Sequence, residues 1–214
     1  MTQLILIRHG LSVTNQAKRY TGQWNVELAP EGLEQAERTA AYVAANYKVD
    51  AIYSSDLLRT CQTVQPLANR LGLPIQTCRD LREIDVGLWQ GMLFEDIKKV
   101  YPEDYARNIA NPACFHFPGG EDYTALTRRA GDAVLRIAAA NEGKTVVIAS
   151  HGGTMRALLN RWSGHGVERL FEIAPVPNCC ILCAVYENGS IRVLQQPSVA
   201  HLEASVPDSD GNAV

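Results

Sequence analysis

Two stretches place a histidine one residue beyond an apolar run: "LILIRHG" (4–10) and "VVIASHGG" (146–153). The imidazoles of His9 and His151 can act as nucleophiles or exchange protons near neutral pH. Arg8 precedes the first, and Arg59 follows the shorter apolar stretch "AIYSS" (51–55). Guanidinium groups are planar, permanently charged forks that match phosphate oxygens. Glycines at 10, 152 and 153 allow tight turns and close backbone approach. Helices beginning just after such loops aim backbone N–H groups at an anion. Glu83 supplies a carboxyl group that could protonate a leaving oxygen beside it.

This inventory suits a phosphoryl group better than an acyl group. The chain has no G-x-S-x-G elbow, no G-x-x-x-x-G-K-[ST] loop and no G-x-G-x-x-G after a strand. A serine hydrolase, a P-loop nucleotide hydrolase and a dinucleotide site are therefore unsupported. The acidic residues near these groups do not cluster as a magnesium site requires.

Positioning such groups needs a rigid frame, and the apolar pattern describes one. Residues 4–7, 51–55, 75–78, 145–150, 181–187 and 191–195 read as strands. Residues 30–46 read as a helix with Pro30 in its first turn and Leu33, Ala36, Ala40, Val43 and Tyr47 on one face. Further helices are expected over 57–71, ending at Gly72, over 121–140 with Leu126, Ala130, Ala133 and Ile137 on one stripe, and over 153–163. Aliphatic strands alternating with amphipathic helices imply an α/β three-layer sandwich with a mostly parallel central sheet. "YENGSIRVL" reads as a hairpin turning at Asn188-Gly189, which adds an antiparallel edge. Residues 88–120 interrupt the alternation with three prolines and several aromatics and read as a small helical cap insertion. The expected organisation is one domain over 1–202, with a disordered polar tail over 203–214. In open α/β sheets ligands bind beyond the carboxyl ends of the strands. That rule gathers Arg8, His9, Ser54, Ser55, Arg59, Glu83, His151 and Gly152 at one rim.

The chain has 214 residues, 46% hydrophobic and 20% charged, with a net charge of −3. This balance gives no general attraction to nucleic acid or anionic membranes. There is no basic segment followed by a long apolar stretch at the start, and no run approaching the ~20 apolar residues of a membrane span. A cytoplasmic protein is expected. Of six cysteines, Cys180 and Cys183 have C-x-x-C spacing, but no second pair accompanies them; they read as buried free thiols rather than metal ligands. The apolar "ILCAVYE" hairpin could form a sheet edge or a homodimer contact.

Four stretches, in order, resemble the histidine phosphatase superfamily, the phosphoglycerate mutase-like family. "RHGLSVTNQAKRYTGQWNVELAPEGLEQA" (8–36) is similar to R-H-G-[EQ]-[ST]-x-x-N followed by G-[QW] and L-x-x-x-G-x-x-Q-A. "IYSSDLLRTCQT" (52–63), "LREIDVGLWQG" (81–91) and "VVIASHGGTMRALL" (146–159) are similar to S-S-x-L-x-R-[AT]-x-Q-T, L-x-E-x-x-x-G-x-W-[EQ]-G and V-x-H-G-G-x-[IM]-R. The resemblance implies that His9 is the nucleophile and becomes a phosphohistidine, and that Arg8, Arg59 and His151 surround the phosphate. It implies that Glu83 is the general acid, with Asp85 the competing carboxyl group, and that Asn15, Gly22 and Gly152 lie near phosphate or substrate. It implies no metal and no cofactor. Leu11, Asp56 and Val86 depart from the family's frequent Glu or Gln, Pro and Phe, and the first two are expected at the rim, where they would tune substrate choice. Thr14 stands where mutases carry Trp, and "PGGE" (118–121) is typical of the phosphatase branch, which includes α-ribazole phosphatases and broad-specificity phosphatases. The expected function is a metal-independent phosphatase acting on a small phosphorylated metabolite. A cofactor-dependent phosphoglycerate mutase, or a member that binds a phosphorylated ligand or a protein without catalysis, is the alternative. α-Ribazole 5′-phosphate, a sugar phosphate, a nucleotide and phosphoglycerate all stay open as substrates. Trp89, Phe94, Tyr101, Tyr105 and Phe115 form either a platform for an organic body or the core of the cap, with core favoured for Trp89.

Overall fold

In the computed structural model residues 1–203 are described. Glu203, the first residue of the expected tail, ends a short helix, and the rest of that expected tail lies outside the described residues. The apolar runs form one six-stranded sheet: β1 (Thr2–Arg8), β2 (Ala51–Ser54), β3 (Ile75–Thr77), β4 (Thr145–Ser150), β5 (Ile181–Glu187) and β6 (Ser190–Ser198). Their order is β3-β2-β4-β1-β5-β6. β1 to β4 pair in parallel, β5 pairs antiparallel with β1, and β6 pairs antiparallel with β5.

Why β1 is aliphatic throughout follows from its place. Leu4 and Leu6 enter the core on one face of the sheet, while Ile5 and Ile7 enter the core on the other, as the two-residue period of a strand requires. On the first face α6 (Tyr123–Ala140) and α7 (Gly152–Trp162) contribute Ala133, Val134, Met155 and Leu158. On the second, α2 (Pro30–Asn46) and α3 (Leu58–Leu71) contribute Val43, Val64 and Leu67. Four-residue helices α1 (Val13–Gln16) and α8 (Ala200–Glu203) were not foreseen from the sequence. The three-layer sandwich is thus as expected.

One detail differs. Leu33 is 46% exposed, because the inward stripe of α2 is Gly32, Ala36, Thr39, Ala40 and Val43. The "ILCAVYE" hairpin forms a sheet edge, with β6 as the outer strand and β5 between β1 and β6. The hairpin joining them turns at Asn188 and Gly189, both with positive φ, the type I′ pattern whose twist suits the flanking strands. Cys180 packs with the α6–α7 face and Cys183 with the α2–α3 face, so the C-x-x-C pair is split across the sheet.

The 88–120 insertion carries α4 (Phe94–Val100) and α5 (Pro102–Ala110). Its own core centres on Trp89, fully buried, with Phe117 at 5.1 Å and Phe115 at 5.5 Å between ring centroids. Trp89 is therefore core, as favoured above.

The loop after β1 is wedged against the start of α2. A Cβ on Gly32 would lie 2.0 Å from the Leu11 carbonyl oxygen, and one on Gly10 would lie 2.6 Å from the Gly32 carbonyl oxygen. Gly32→Ala should therefore force apart two backbone segments rather than a side chain. The expected cost is about 1–3 kcal/mol by denaturant unfolding, with lowered turnover, since the displaced loop follows His9.

Candidate active site

β1 and β4 pair in parallel with Arg8 opposite Ser150, and the His9 amide donates to the Ser150 carbonyl at 2.9 Å. The next residue of each strand is a histidine. His9 and His151 consequently leave the sheet side by side, with ring centroids 5.3 Å apart and planes at 60°. Both are buried.

His9 Nδ1 lies 2.7 Å from the Gly10 carbonyl oxygen. A carbonyl can only accept, so this contact assigns the proton of the neutral ring to Nδ1 and leaves the lone pair on Nε2. Residues of the motifs hold this arrangement. The Gly10 amide donates to Thr63 Oγ1 at 3.0 Å, and the Leu11 amide to Gln35 Oε1 at 2.9 Å. Asn178, not anticipated from sequence, donates from Nδ2 to the carbonyls of His9 (2.9 Å) and Gly10 (3.1 Å). His151 Nε2 lies 2.9 Å from Ser55 Oγ, while its Nδ1 has no partner among the described residues.

Arg59 is fully buried at the start of α3. Its terminal nitrogens donate to the carbonyls of Trp24 (2.8 Å) and Gly22 (2.9 Å). Arg8 donates from Nη1 to the Val176 carbonyl, and its Cζ would lie 3.1 Å from a Cβ at Gly152. The Nε atoms of both arginines are buried without a partner among the described residues. Glu83 docks on the start of α7: Oε2 accepts from the Gly153 amide at 2.9 Å, and Oε1 from the Thr154 amide at 3.0 Å. A Cβ at Gly153 would come within 2.6 Å of Oε1, so the carboxyl group needs glycine there. Arg129 fixes the chain approaching Glu83 by donating to the carbonyls of Asp80, Arg82 and Glu83.

Burial governs the electrostatics. Desolvation, followed by Arg59 and then Arg8, pushes the His9 pKa well below its ordinary 6.5, against a smaller opposing effect of the Gly10 carbonyl. Desolvation and then Arg59, His9 and Arg8 do the same to His151. Desolvation also lowers the Arg59 pKa to about 10.

These groups meet at a cavity of ≈ 510 Å³ lined by Arg8, His9, Asn15, Gly22, Arg59, Glu83 and Gly152 among others. His151 stands behind His9, fully buried. Each residue expected at the site is therefore at or against this cavity. Asp85 is not: it caps the Gly87 amide at 3.0 Å and faces a smaller pocket. Asp56 and Leu11 do not line the cavity; Asp56 instead forms a two-pronged pair with Arg82 at 2.6 Å. Of the five cap aromatics named from sequence, only Phe94 lines it. Phe117, Tyr123, Phe171, Arg19 and Arg156 also line it and were missed. Arg156 had a signal, since it sits four residues after Gly152 in a quoted motif and so on the same helix face. Among the described residues no helix is long and apolar enough to cross a membrane.

A profile of the histidine phosphatase superfamily (branch 1) matches residues 4–197. The chain is 35% identical over 174 residues to "Phosphoglycerate mutase-like protein 4" of Arabidopsis thaliana, covering 79% of this chain and 76% of that protein. It is 35% identical over 158 residues to "Phosphoserine phosphatase 1" of Hydrogenobacter thermophilus, covering 74% of each. The solved structure of Bacillus stearothermophilus YhfR superposes with a TM-score of 0.90 at 26% identity, covering 94% of this chain and 100% of that one.

Because the buried histidines are held neutral, the folded chain binds fewer protons than the unfolded chain below pH 6.5. Stability is then full above that value and falls as the solution is acidified. Each histidine should contribute a slope of about 1.4 kcal/mol per pH unit in that window. Denaturant unfolding between pH 5 and 7 should show His9→Ala losing one such increment of slope relative to wild type; equal slopes would refute the assignment.

Proposed function

The chain belongs to the histidine phosphatase superfamily, branch 1, and from that premise we propose that it hydrolyses a small phosphomonoester, without a metal, through a phosphohistidine on His9. As an enzyme it is a phosphoric monoester hydrolase. The observation that carries the proposed mechanism is the 2.7 Å contact between His9 Nδ1 and the Gly10 carbonyl, which leaves Nε2 as an unprotonated nucleophile.

In the first step Nε2 attacks phosphorus, an N–P bond forms and the P–O ester bond breaks. Glu83 gives its proton to the departing alkoxide, which leaves as an alcohol. In the second, a water oxygen attacks the phosphohistidine while its proton passes to the Glu83 carboxylate. The N–P bond breaks, inorganic phosphate departs and His9 returns to its neutral form. The guanidinium groups of Arg8 and Arg59 stabilise charge on the phosphoryl oxygens throughout. Their buried, unpartnered Nε atoms are donors consistent with that role. Fixed by β1 and by Asn178, His9 needs no reorganisation to attack, which lowers the entropic part of the barrier. Cytoplasmic location fits this reading.

The test is phosphate release from p-nitrophenyl phosphate in EDTA. Wild type should turn over and His9→Ala should lose more than about a thousandfold in kcat while keeping its folded spectrum. Rapid interconversion of 2- and 3-phosphoglycerate with negligible hydrolysis would establish the mutase alternative instead. Full activity in His9→Ala would overturn the role of His9.

A further inference from the structure

Glu83 gives up and takes back a proton in the proposed reaction, yet it lies in irregular chain between β3 and α4. Backbone carbonyls there have no ladder to enter and must find other donors. Four in a row are met by side chains from elsewhere in the fold. The Leu81 carbonyl accepts from Ser150 Oγ at 2.8 Å, and the Arg82 carbonyl from Thr154 Oγ1 at 2.9 Å. The Glu83 carbonyl accepts from Gln23 Nε2 at 3.2 Å. Arg129, on α6, reaches three of the four: Asp80 and Arg82 at 2.8 Å, and Glu83 at 2.9 Å.

Arg129 is fully used. A guanidinium group has five N–H donors. Three go to those carbonyls, and the other two go to Glu121, Nε to Oε2 at 3.0 Å and Nη2 to Oε1. Glu121 closes "PGGE" (118–121), a motif that the chemistry at His9 leaves without a task. Its Oε1 also accepts from the Asp85 amide at 2.9 Å, and its own amide donates to the Asp85 carbonyl at 2.9 Å. The two stretches touch backbone to backbone. The Leu88 amide donates to the Pro118 carbonyl at 2.9 Å, and a Cβ on Gly120 would come within 2.2 Å of the Asp85 carbonyl oxygen. Arg129 and Glu121 thus grip the chain on both sides of Glu83, while the amides of Gly153 and Thr154 hold its carboxyl group from α7. Neither Arg129 nor Glu121 is among the residues lining the active-site cavity, so any effect they have on the reaction passes through Glu83.

We infer that Arg129 and Glu121 are positioning residues for the general acid, holding Glu83 where it reaches the departing oxygen. Without them, phosphoryl transfer should depend on how well the leaving group bears negative charge. The inference rests on the phosphatase reading above. A pair that only added stability would leave that dependence alone. Misplacement of a reacting group by about 1 Å costs on the order of a hundredfold, and general acid catalysis as a whole contributes about 10²–10⁴.

The test compares benzyl phosphate, whose alkoxide leaves poorly without a proton, with p-nitrophenyl phosphate, whose phenolate leaves without one. The quantity read is kcat/KM, which covers the steps up to loss of the alcohol. Breakdown of the phosphohistidine, common to both substrates, does not enter it. In Arg129→Gln, kcat/KM should fall at least about tenfold further for benzyl phosphate than for p-nitrophenyl phosphate. Glu121→Gln should shift the ratio in the same direction by a smaller factor. Glu83→Gln should shift it at least as far as Arg129→Gln, and combining the two should shift it no further, because both remove the same step. If Arg129→Gln does not fold, Arg129→Lys is read in its place. Lysine keeps the charge but cannot span three carbonyls and a carboxylate, so it should give part of the shift. With the shift present in Glu83→Gln, an equal fall on both substrates in the Arg129 variant would overturn the inference, as would a further shift in the double variant. Either result leaves the phosphatase reading standing. No shift in Glu83→Gln would overturn the acid role of Glu83, and no phosphate release from either compound would overturn the parent reading; this inference falls with either.

Discussion

Everything at the site depends on the register between β1 and β4. Arg8 lies opposite Ser150, and the hydrogen bond from the His9 amide to the Ser150 carbonyl extends that pairing by one residue. A slip of one position would turn every side chain of β1 to the other face of the sheet. Leu4 and Leu6 are buried on one face, Ile5 and Ile7 on the other, so a slip would draw the flanking Gln3 or Arg8 into a layer now filled by aliphatic side chains. The cost of burying those polar groups fixes where the two imidazoles leave the sheet. The same register delivers Gly152 next to Arg8 and starts α7 where Glu83 can dock on its first amides.

Burial is the second constraint, and it acts on charge. The histidines stay neutral because they are desolvated beside arginines, so a nucleophilic lone pair exists without a base to generate it. The arginines stay charged because their pKa begins so high that desolvation leaves Arg59 still near 10. The outcome is a cavity in which the cations are permanent and the nucleophile is uncharged, an arrangement that favours a dianionic guest in both respects.

Much of the frame was legible in the sequence, and the reasons are local. β4 and β5 and helix α2 have the boundaries the apolar pattern implies, since strands buried on both faces and a Pro-started helix leave unambiguous signals. The candidate site residues Arg8, His9, Arg59, Glu83 and His151 were legible because each ends or follows a strand in a recognisable motif. What was not legible depends on contacts between distant segments. Asn178 reaches back to His9 and Gly10 across more than 160 residues, and no periodicity announces it. Leu33 fits an apolar stripe by spacing, yet the close approach of Gly32 to Leu11 rotates the buried face of α2 past it. Asp56 was expected to shape selectivity at the rim, but Arg82 claims it. The cavity wall draws on the 88–120 insertion and on residues 170–176 together, and their meeting is a property of the tertiary fold alone.

The central claim is that phosphorus is bonded to His9 Nε2 during turnover. Its most direct test is a rapid base quench of wild type with p-nitrophenyl phosphate, whose phenolate leaves without needing a proton, followed by digestion, mass spectrometry and phosphorus NMR of the labelled peptide. The account predicts one phosphoryl group, on the peptide containing His9, attached at Nε2. Label at Nδ1, on His151 or on Glu83, or steady hydrolysis with no label on His9, would contradict it.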